Sequence, residues 1–305
     1  MAFELVAQQI FTLLIILSIG YIIKKINWID EISTKKLATL LINVTSPALI
    51  FFSFIKEYDA SKLLITGYVS LASLLCFILS ILLAEKIFFF FIHKEATDLS
   101  VLKASAVFSN CGYMGMPLIH ELYGSDGVFY VSTYIVIFQI LIWTYGLTLY
   151  SKKTDLKNIK KLFRSPAILA VSIGLVTYIL QIPVHPSIQN ASLMIGSMTT
   201  PIAMLIIGSN MSDVNFKELL SSWKVYYVSF LRLILLPTLF MVVLSYFPLP
   251  SIAYKIIITS LAMPVAVNVA VFAEKFGCDP LFASKVITLS TILSLVTIPF
   301  ILQFL

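Results

Sequence analysis

Charged side chains are scarce in this sequence. Only 12% of the 305 residues are Asp, Glu, Lys or Arg, whereas about 25% is usual for a soluble globular protein. Hydrophobic residues make up 59% of the chain. This balance excludes an ordinary soluble domain and predicts an all-α integral membrane protein, in which each crossing helix takes about 20 apolar residues.

Cysteine and histidine are also few, with three of each. The cysteines are far apart, so neither a disulfide framework nor a CxxC metal site is available. No histidine has a second ligand three or four residues away, which argues against a zinc or di-iron site. No nucleophile, base or metal ligands cluster within a span, so we expect no metal, no cofactor and no enzymatic activity.

Ten apolar segments can be distinguished, and each is predicted to cross the membrane once. They cover about residues 5–23, 36–55, 63–84, 101–120, 127–150, 165–182, 188–210, 223–246, 255–274 and 281–303. The first segment lacks the basic region and the cleavage site of a signal peptide, so we expect it to be retained.

The cationic residues predict the orientation of these segments. If the first loop is cytoplasmic, most of the 21 Lys and Arg residues lie in cytoplasmic loops. Such an excess of positive charge on the inside is typical of bacterial-type membrane proteins. It predicts a multi-pass protein of the cell membrane with both termini outside the cytoplasm, and it explains the net charge of +6 without a nucleic-acid partner.

Three short patterns recur at nearly the same separation, about half of the chain length. Ser18–Gly20 recurs as Ser172–Gly174, Pro47 as Pro201, and Tyr123–Asp126 as Phe276–Asp279. A repeat of five spans has an odd number, so its second copy must enter the membrane from the opposite side. The sequence therefore predicts two inverted five-helix repeats, 1–151 and 165–305, with a cytoplasmic linker at 152–164, an architecture typical of secondary transporters.

Helix-breaking residues interrupt the fourth and ninth segments, at corresponding places in the two repeats. Freed backbone groups at membrane depth are costly unless they line a cavity or find protein partners. Paired interruptions of this kind indicate a substrate site, and half-helix N-termini favour an anion. The residues that we expect at this site are Asn110, Gly112, Gly115, Pro117, Pro264 and Asn268.

Arg232 is the only charged residue well inside a predicted span. An intramembrane charge is a functional candidate by default. It either attracts an anionic substrate directly, or it snorkels or caps carbonyl groups that are freed where helices are interrupted. The sequence leaves both interpretations open. In contrast, no acidic residue is evident within a span, which disfavours a cation/proton antiporter.

Two motifs resemble the auxin efflux carrier family, which includes plant carriers and bacterial dicarboxylate permeases. They are Asn-x-Gly-x-x-Gly-x-Pro-Leu at 110–118 and Tyr-Gly-x-Asp at 123–126. The segment around Met263–Pro264, the Phe276–Asp279 element and the ending from Thr291 to Pro299 are also similar to that family. The resemblance extends over essentially the whole chain.

This resemblance implies that broken helices four and nine cross beside the substrate. The crossover would be marked by Pro117 and Pro264, and Asn110 and Asn268 would face the substrate. Helices one, two, six and seven would form a scaffold and a homodimer interface, and the other six a moving, elevator-like transport domain. On the scaffold side the site would be lined by residues next to two prolines, namely Ser46 beside Pro47 and Thr200 beside Pro201.

The leading hypothesis is a secondary transporter of small organic anions, such as dicarboxylates, that works by alternating access. Its partners would be the substrate, membrane lipid and a second copy of the chain, and a coupled proton or sodium ion is left open. One alternative is a sodium-coupled symporter of larger amphipathic anions, similar to the bile-acid symporters. Another is a membrane receptor that binds a ligand without moving it.

Overall fold

The computed structural model describes residues 2–91, 99–151, 165–212 and 222–305. These residues form helices joined by turns and contain no β-strand, which confirms the all-α prediction. The predicted linker at 152–164 lies outside the described residues. The helices are α1 (Ala2–Lys25), α2 (Glu31–Leu40), α3 (Ser46–Ser53), α4 (Ala60–Phe91), α5 (Leu99–Val107), α6 (Met116–Leu141), α7 (Leu147–Ser151), α8 (Pro166–Ile179), α9 (Pro186–Ser197), α10 (Thr199–Ser212), α11 (Trp223–Phe230), α12 (Leu236–Ser245), α13 (Ser251–Leu261), α14 (Asn268–Phe276) and α15 (Pro280–Leu302).

Six helical stretches of the described residues are long and apolar enough to cross a membrane. They are Glu31–Ser53, Ala60–Phe88, Cys111–Tyr150, Pro186–Ser212, Trp223–Ser245 and Pro280–Leu302, and the shorter apolar helices are Pro166–Ile179 and Ser251–Leu261. The chain is therefore a multi-pass membrane protein. Several predicted segments hold two helices rather than one, because proline or glycine interrupts them.

Widened π-helical turns occur at four places among the described residues, and three of them directly precede a helix with proline at its second residue. A proline lacks the N–H group and its ring clashes with the carbonyl one turn earlier, so a wider turn lets the helix continue past it. The three turns are Leu41–Thr45 before Pro47, Cys111–Gly115 before Pro117 and Leu231–Leu235 before Pro237, and the fourth is Ile142–Gly146.

The two copies of the Tyr/Phe-Gly-x-Asp pattern share a positive φ at glycine but neither ψ nor a side-chain role. Gly124, which interrupts α6, has φ 63° and ψ −156°, whereas Gly277, which ends α14, has φ 68° and ψ 27°. Glycine adopts a positive φ without the steric cost of a Cβ atom. Asp279 then caps α15 by accepting a hydrogen bond from the N–H of Phe282 (2.8 Å), as expected at a helix N-terminus.

Asp126, in the first copy of the pattern, forms ion pairs instead. Its Oδ1 atom lies 2.5 Å from Nζ of Lys56 and 2.9 Å from Nζ of Lys62. The Lys56 ammonium also lies 5.1 Å from the centre of the Phe129 ring, within the range of a cation–π interaction. Burial of Lys56 lowers the pKa of its ammonium. The first repeat thus carries an ionic cluster where the second has a helix cap.

The described helices group into two compact units, and each unit contains segments from both halves of the chain. Unit 1 comprises Met1–Gly67, Gly112–Val136 and Lys160–Asp213, and unit 2 comprises Tyr68–Cys111, Ile137–Ile159 and Val214–Leu305. Within unit 1, α1 packs along α10, and α3 packs against α8 and α9. Within unit 2, α15 contacts α5, α11 and α14.

Glycines provide the close packing in unit 1. A Cβ atom added to Gly20 of α1 would lie 2.8 Å from Cα of Leu205, and one added to Gly208 of α10 would lie 2.8 Å from the backbone nitrogen of Tyr21. The helices therefore approach at a distance that only glycine allows, as in other membrane helix pairs. A Cβ atom added to Gly174, the second-repeat counterpart of Gly20, would lie 2.7 Å from the ring of Phe54.

Candidate functional site

Two helices of unit 2 end next to one another at interrupted segments. Helix α5 ends at Val107 and α13 ends at Leu261. The residues that follow leave the helical conformation and form an isolated antiparallel bridge between Ser109 and Val265. We call residues 108–110 and 264–266 the bridged segments.

Backbone hydrogen bonds join the bridged segments on both sides of this pair. The N–H group of Asn110 donates to the carbonyl of Pro264 (2.7 Å), and that of Ala266 donates to the carbonyl of Phe108 (3.0 Å). Each segment thus supplies one donor and one acceptor to the other. Such pairing meets the requirement that non-helical backbone in a membrane protein be satisfied by protein groups.

A hydroxyl group from α15 satisfies a further backbone donor. The N–H group of Val265 donates to Oγ of Ser290 (3.2 Å), and the same hydroxyl donates to the carbonyl of Ile287 (3.0 Å). Ser290 is fully buried, so loss of this acceptor would leave a donor without a partner, which is costly away from water. Ser290 could not be identified from the sequence, because isolated serines in apolar spans carry no distinguishing pattern.

Arg232 is fully buried, and its guanidinium donates to carbonyl oxygens at the ends of both helices. On the α5 side, Nη1 lies 3.2 Å from the carbonyl oxygen of Ala106 and 3.3 Å from that of Val107. On the α13 side, Nε lies 3.1 Å from the carbonyl oxygen of Met263, and Nη2 donates to that of Leu261. A single side chain therefore binds four carbonyls from two segments.

These contacts have a simple physical cause. The last carbonyls of a helix have no partner within it, and the C-terminal end carries a partial negative charge. At α5 and α13 two such ends meet, and the planar guanidinium supplies several donors and a full positive charge to them. Of the two interpretations of Arg232, capping of freed carbonyls describes the observed hydrogen bonds, and direct attraction of a substrate stays a prediction.

Asn110 is buried beside the bridge, with 3% of its surface exposed. Its backbone N–H donates to the carbonyl of Pro264, and its carboxamide, which is not one of the fully buried unpaired groups of the described chain, makes no hydrogen bond to another described residue. A buried amide normally has partners. Its donor and acceptor are therefore available to a bound molecule.

Asn268 begins α14, a few residues after the bridged segment, and is half-buried. The preceding residue, Val267, makes no side-chain hydrogen bond to cap the helix. The N–H groups of Val269 and Ala270 already donate to the carbonyls of Ala266 and Val267 (3.1 Å each), so this helix N-terminus offers chiefly its partial positive charge. Unit 2 thus brings together Asn110, Pro264 and Arg232 around the bridge and places Asn268 just beyond it.

The two prolines predicted to mark the crossover occupy different local structures. The bridge forms at Ser109, whereas Pro117 is the second residue of α6, after the π-helical turn that contains Gly112 and Gly115. The physical reason is that proline is well tolerated in the first turn of a helix and therefore marks a start. Pro264, in contrast, lies within the bridged segments.

The remaining predicted residues belong to unit 1. Ser46 and Pro47 are the first two residues of α3, and Thr200 and Pro201 lie in the first turn of α10. Thr200 is buried and Ser46 is half-buried. A Cβ atom added to Gly112 would meet no described heavy atom within 4 Å, so packing does not require glycine there. The predicted contact of Ser46 and Thr200 with substrate stays a prediction.

In the part of the chain that the structure describes, no group of three or more His, Cys, Asp or Glu residues could hold a metal ion. The buried polar groups around the bridge are instead backbone carbonyls, hydroxyls, an amide and a guanidinium. These groups suit recognition by hydrogen bonds.

Comparison with known proteins agrees with this architecture. The family model described as "Membrane transport protein" matches the chain twice in succession, over residues 5–156 and 152–302. The chain is also 26% identical over 298 residues to a protein of Methanothermobacter thermautotrophicus described as an uncharacterized transporter, and 96% of each chain is covered. Two matches in tandem fit the internal repeat found in the sequence. The chain belongs to the membrane transport protein family, that of the auxin efflux carriers, and is a multi-pass membrane transporter.

Proposed function

We propose that this protein is a secondary transporter of small organic anions, with dicarboxylates as its substrate class, across the cytoplasmic membrane. The observation that carries this proposal is the buried Asn110 carboxamide, which lies beside the bridged segments without a partner in the described chain. The guanidinium of Arg232 neutralises the negative helix ends nearby. The N-terminus of α14 then leaves a net positive field, which favours an anion.

The proposed topology has ten crossings in two inverted repeats, with the bridged segments as the crossover of broken helices four and nine. Packing in unit 1 supports it. Helix α1, from the start of the first repeat, packs on α10 of the second, and α8, from the start of the second repeat, packs on α3 of the first. Exchange of equivalent contacts is what a twofold relation between repeats produces. Both termini would lie outside the cytoplasm, as the positive charges indicate.

Transport would proceed by alternating access. The scaffold would comprise crossings one, two, six and seven, the other six crossings would move as an elevator-like body, and two copies would form a homodimer through their scaffolds. Ser46 and Thr200 would line the scaffold side of the path, and Gly112 and Gly115 would let substrate approach the backbone. The coupled ion, if one is used, would be a proton or sodium.

Uptake into proteoliposomes tests the proposal. Radiolabelled malate, malonate and indole-3-acetate would be offered to the wild type, Asn110→Ala and Asn268→Ala, with proton and sodium gradients imposed separately. A hydrogen bond to a charged group contributes about 1.5–3 kcal/mol, so we expect Asn110→Ala to lower the apparent affinity by about 10- to 100-fold.

Asn190→Ala is the matched control, because Asn190 is an exposed asparagine of α9. It should transport like the wild type. Saturable carboxylate uptake that is equal in all four proteins would contradict the assignment of Asn110 and Asn268. Binding of a carboxylate without uptake under any gradient would favour a receptor instead.

A further inference from the structure

Arg232 is bound by carbonyl oxygens in the way that a small cation is bound by a protein. Four backbone oxygens, those of Ala106, Val107, Leu261 and Met263, accept hydrogen bonds from its guanidinium. Hard monovalent and divalent cations are likewise held by clusters of carbonyl oxygens. The difference is that this cation is covalently attached to the chain.

The four carbonyl acceptors share one feature, which is that they lie at the C-terminal ends of helices. Two come from the end of α5 and two from the end of α13, and the guanidinium is fully buried among them. Helix C-termini carry partial negative charge, so two of them side by side repel each other unless a cation lies between. Since the bridged segments follow directly from both ends, the position of Asn110 and Pro264 depends on this charge.

The position of Arg232 in its own helix also supports its role as a cation between the two helix ends. Arg232 lies in the π-helical turn Leu231–Leu235 that precedes Pro237. This turn widens the helix at the residue whose side chain must reach both α5 and α13, and π-helical turns are frequent at functional sites. The turn is fixed by the proline that follows it, because proline stops the regular hydrogen-bond pattern.

We propose that the Arg232 guanidinium is a tethered cation that occupies a carbonyl site between the ends of α5 and α13, in place of a diffusible ion. Arg232 is thus a positioning residue, which acts on the substrate site through the bridged segments. Removal of its side chain opens a latent site for a monovalent cation. This inference rests on the proposed function only where uptake is the readout.

The experiment uses the full-length protein in detergent and compares Arg232→Ala with the wild type in guanidinium, methylguanidinium, sodium or choline chloride at millimolar concentration. Guanidinium should raise the melting temperature of Arg232→Ala by about 3–5 °C when it is tenfold above its dissociation constant. Choline, which is too large for the site, should have no effect. The wild type should gain nothing from any of these salts.

Gly208→Val provides the matched control, because it destabilises unit 1 without touching the carbonyl site. An equal rise in its melting temperature would show a general salt effect and would overturn the proposal, as would the absence of any rise in Arg232→Ala. The proposal would also be overturned if Arg232→Ala in choline chloride had the same melting temperature as the wild type.

Two further variants keep the test decisive if Arg232→Ala is recovered poorly. Arg232→Lys retains a charge, whereas Arg232→Met retains a stem of similar length without one. The proposal expects a higher yield of monodisperse protein and a higher melting temperature for the lysine variant than for the methionine variant. Equal values for the two would show that packing, and not charge, is what Arg232 provides.

Uptake separates this proposal from the proposed function. Guanidinium should restore at least part of any carboxylate uptake that Arg232→Ala has lost, and wild-type uptake should be the same in sodium as in choline. If guanidinium stabilises Arg232→Ala but the wild type carries no carboxylate, the tethered cation stands and the substrate class is wrong. If the wild type carries carboxylates only with sodium, the tethered cation is overturned.

Discussion

Helices come into close contact in both units, but by opposite means. In unit 1, α1 and α10 approach through Gly20 and Gly208, and the nearest groups are the backbone of the partner helix. In unit 2, the ends of α5 and α13 are held by the charged side chain of Arg232. The first contact depends on the absence of side chains at two glycines, and the second depends on one buried cationic side chain.

The difference follows from where the backbone hydrogen bonds go. Helices α1 and α10 are continuous at their contact, so their carbonyls already have partners and only shape must match. Helices α5 and α13 end at theirs, so their last carbonyls need donors that the membrane does not supply. A continuous span therefore needs small residues, whereas an interrupted span needs polar ones.

The largest effect is expected from Arg232→Met, which removes the charge and leaves four buried carbonyls without this donor. A buried polar group that loses its only partner costs about 1–3 kcal/mol, and here several carbonyls lose a donor at once. Thermal unfolding in nanodiscs would measure the change, with Arg232→Lys as an intermediate case. A melting temperature equal to that of the wild type would show that the interrupted ends need no charge.

Gly208→Val should have the next largest effect, because its side chain would collide with the backbone of α1 near Tyr21. Overpacking costs about 1–3 kcal/mol, and more where backbone cannot move. The control is Gly67→Ala, since a Cβ atom there meets no described heavy atom within 4 Å. Alanine has the higher helix propensity, so the control should be neutral or stabilising by up to about 1 kcal/mol.

A pair of buried serines should give the smallest effect and the sharpest contrast. Ser290→Ala leaves the N–H group of Val265 without its acceptor, which costs about 1–3 kcal/mol. Ser209→Ala removes only a 3.3 Å bond to the carbonyl of Gly20, which belongs to a continuous helix, and should cost less than about 1 kcal/mol. If urea unfolding ranks the two variants in the reverse order, helix ends are not what distinguishes the two contacts.

Much of the fold follows from the sequence because it depends on local chemistry. Proline and glycine in the fourth and ninth segments indicate interrupted helices, and unit 2 contains such interruptions at residues 108–110 and 262–267. The confirmed family assignment depends on motifs of the same local kind.

The contacts between distant segments could not be predicted. The sequence shows that Arg232 is an isolated charge, but its partners are backbone carbonyls, which every residue has. The motif around Pro117 indicates an interrupted helix, but it does not show that Ser109 pairs with Val265. Similarly, Gly20 is visible in the Ser18–Gly20 repeat, but its partner Leu205 could be identified only from the packing of α1 on α10.

The packing of α1 on α10 also bears on biosynthesis. Ser209 and Gly20 are 189 residues apart along the chain, so α1 enters the membrane long before its partner has been translated. Chains are made from the N-terminus, and their early segments normally fold first. Here the first helix must wait, with its glycine face covered by lipid or by an insertion factor, until the second half of the protein arrives. Assembly of unit 1 is therefore completed late, because the contact between α1 and α10 forms only after α10 has been translated.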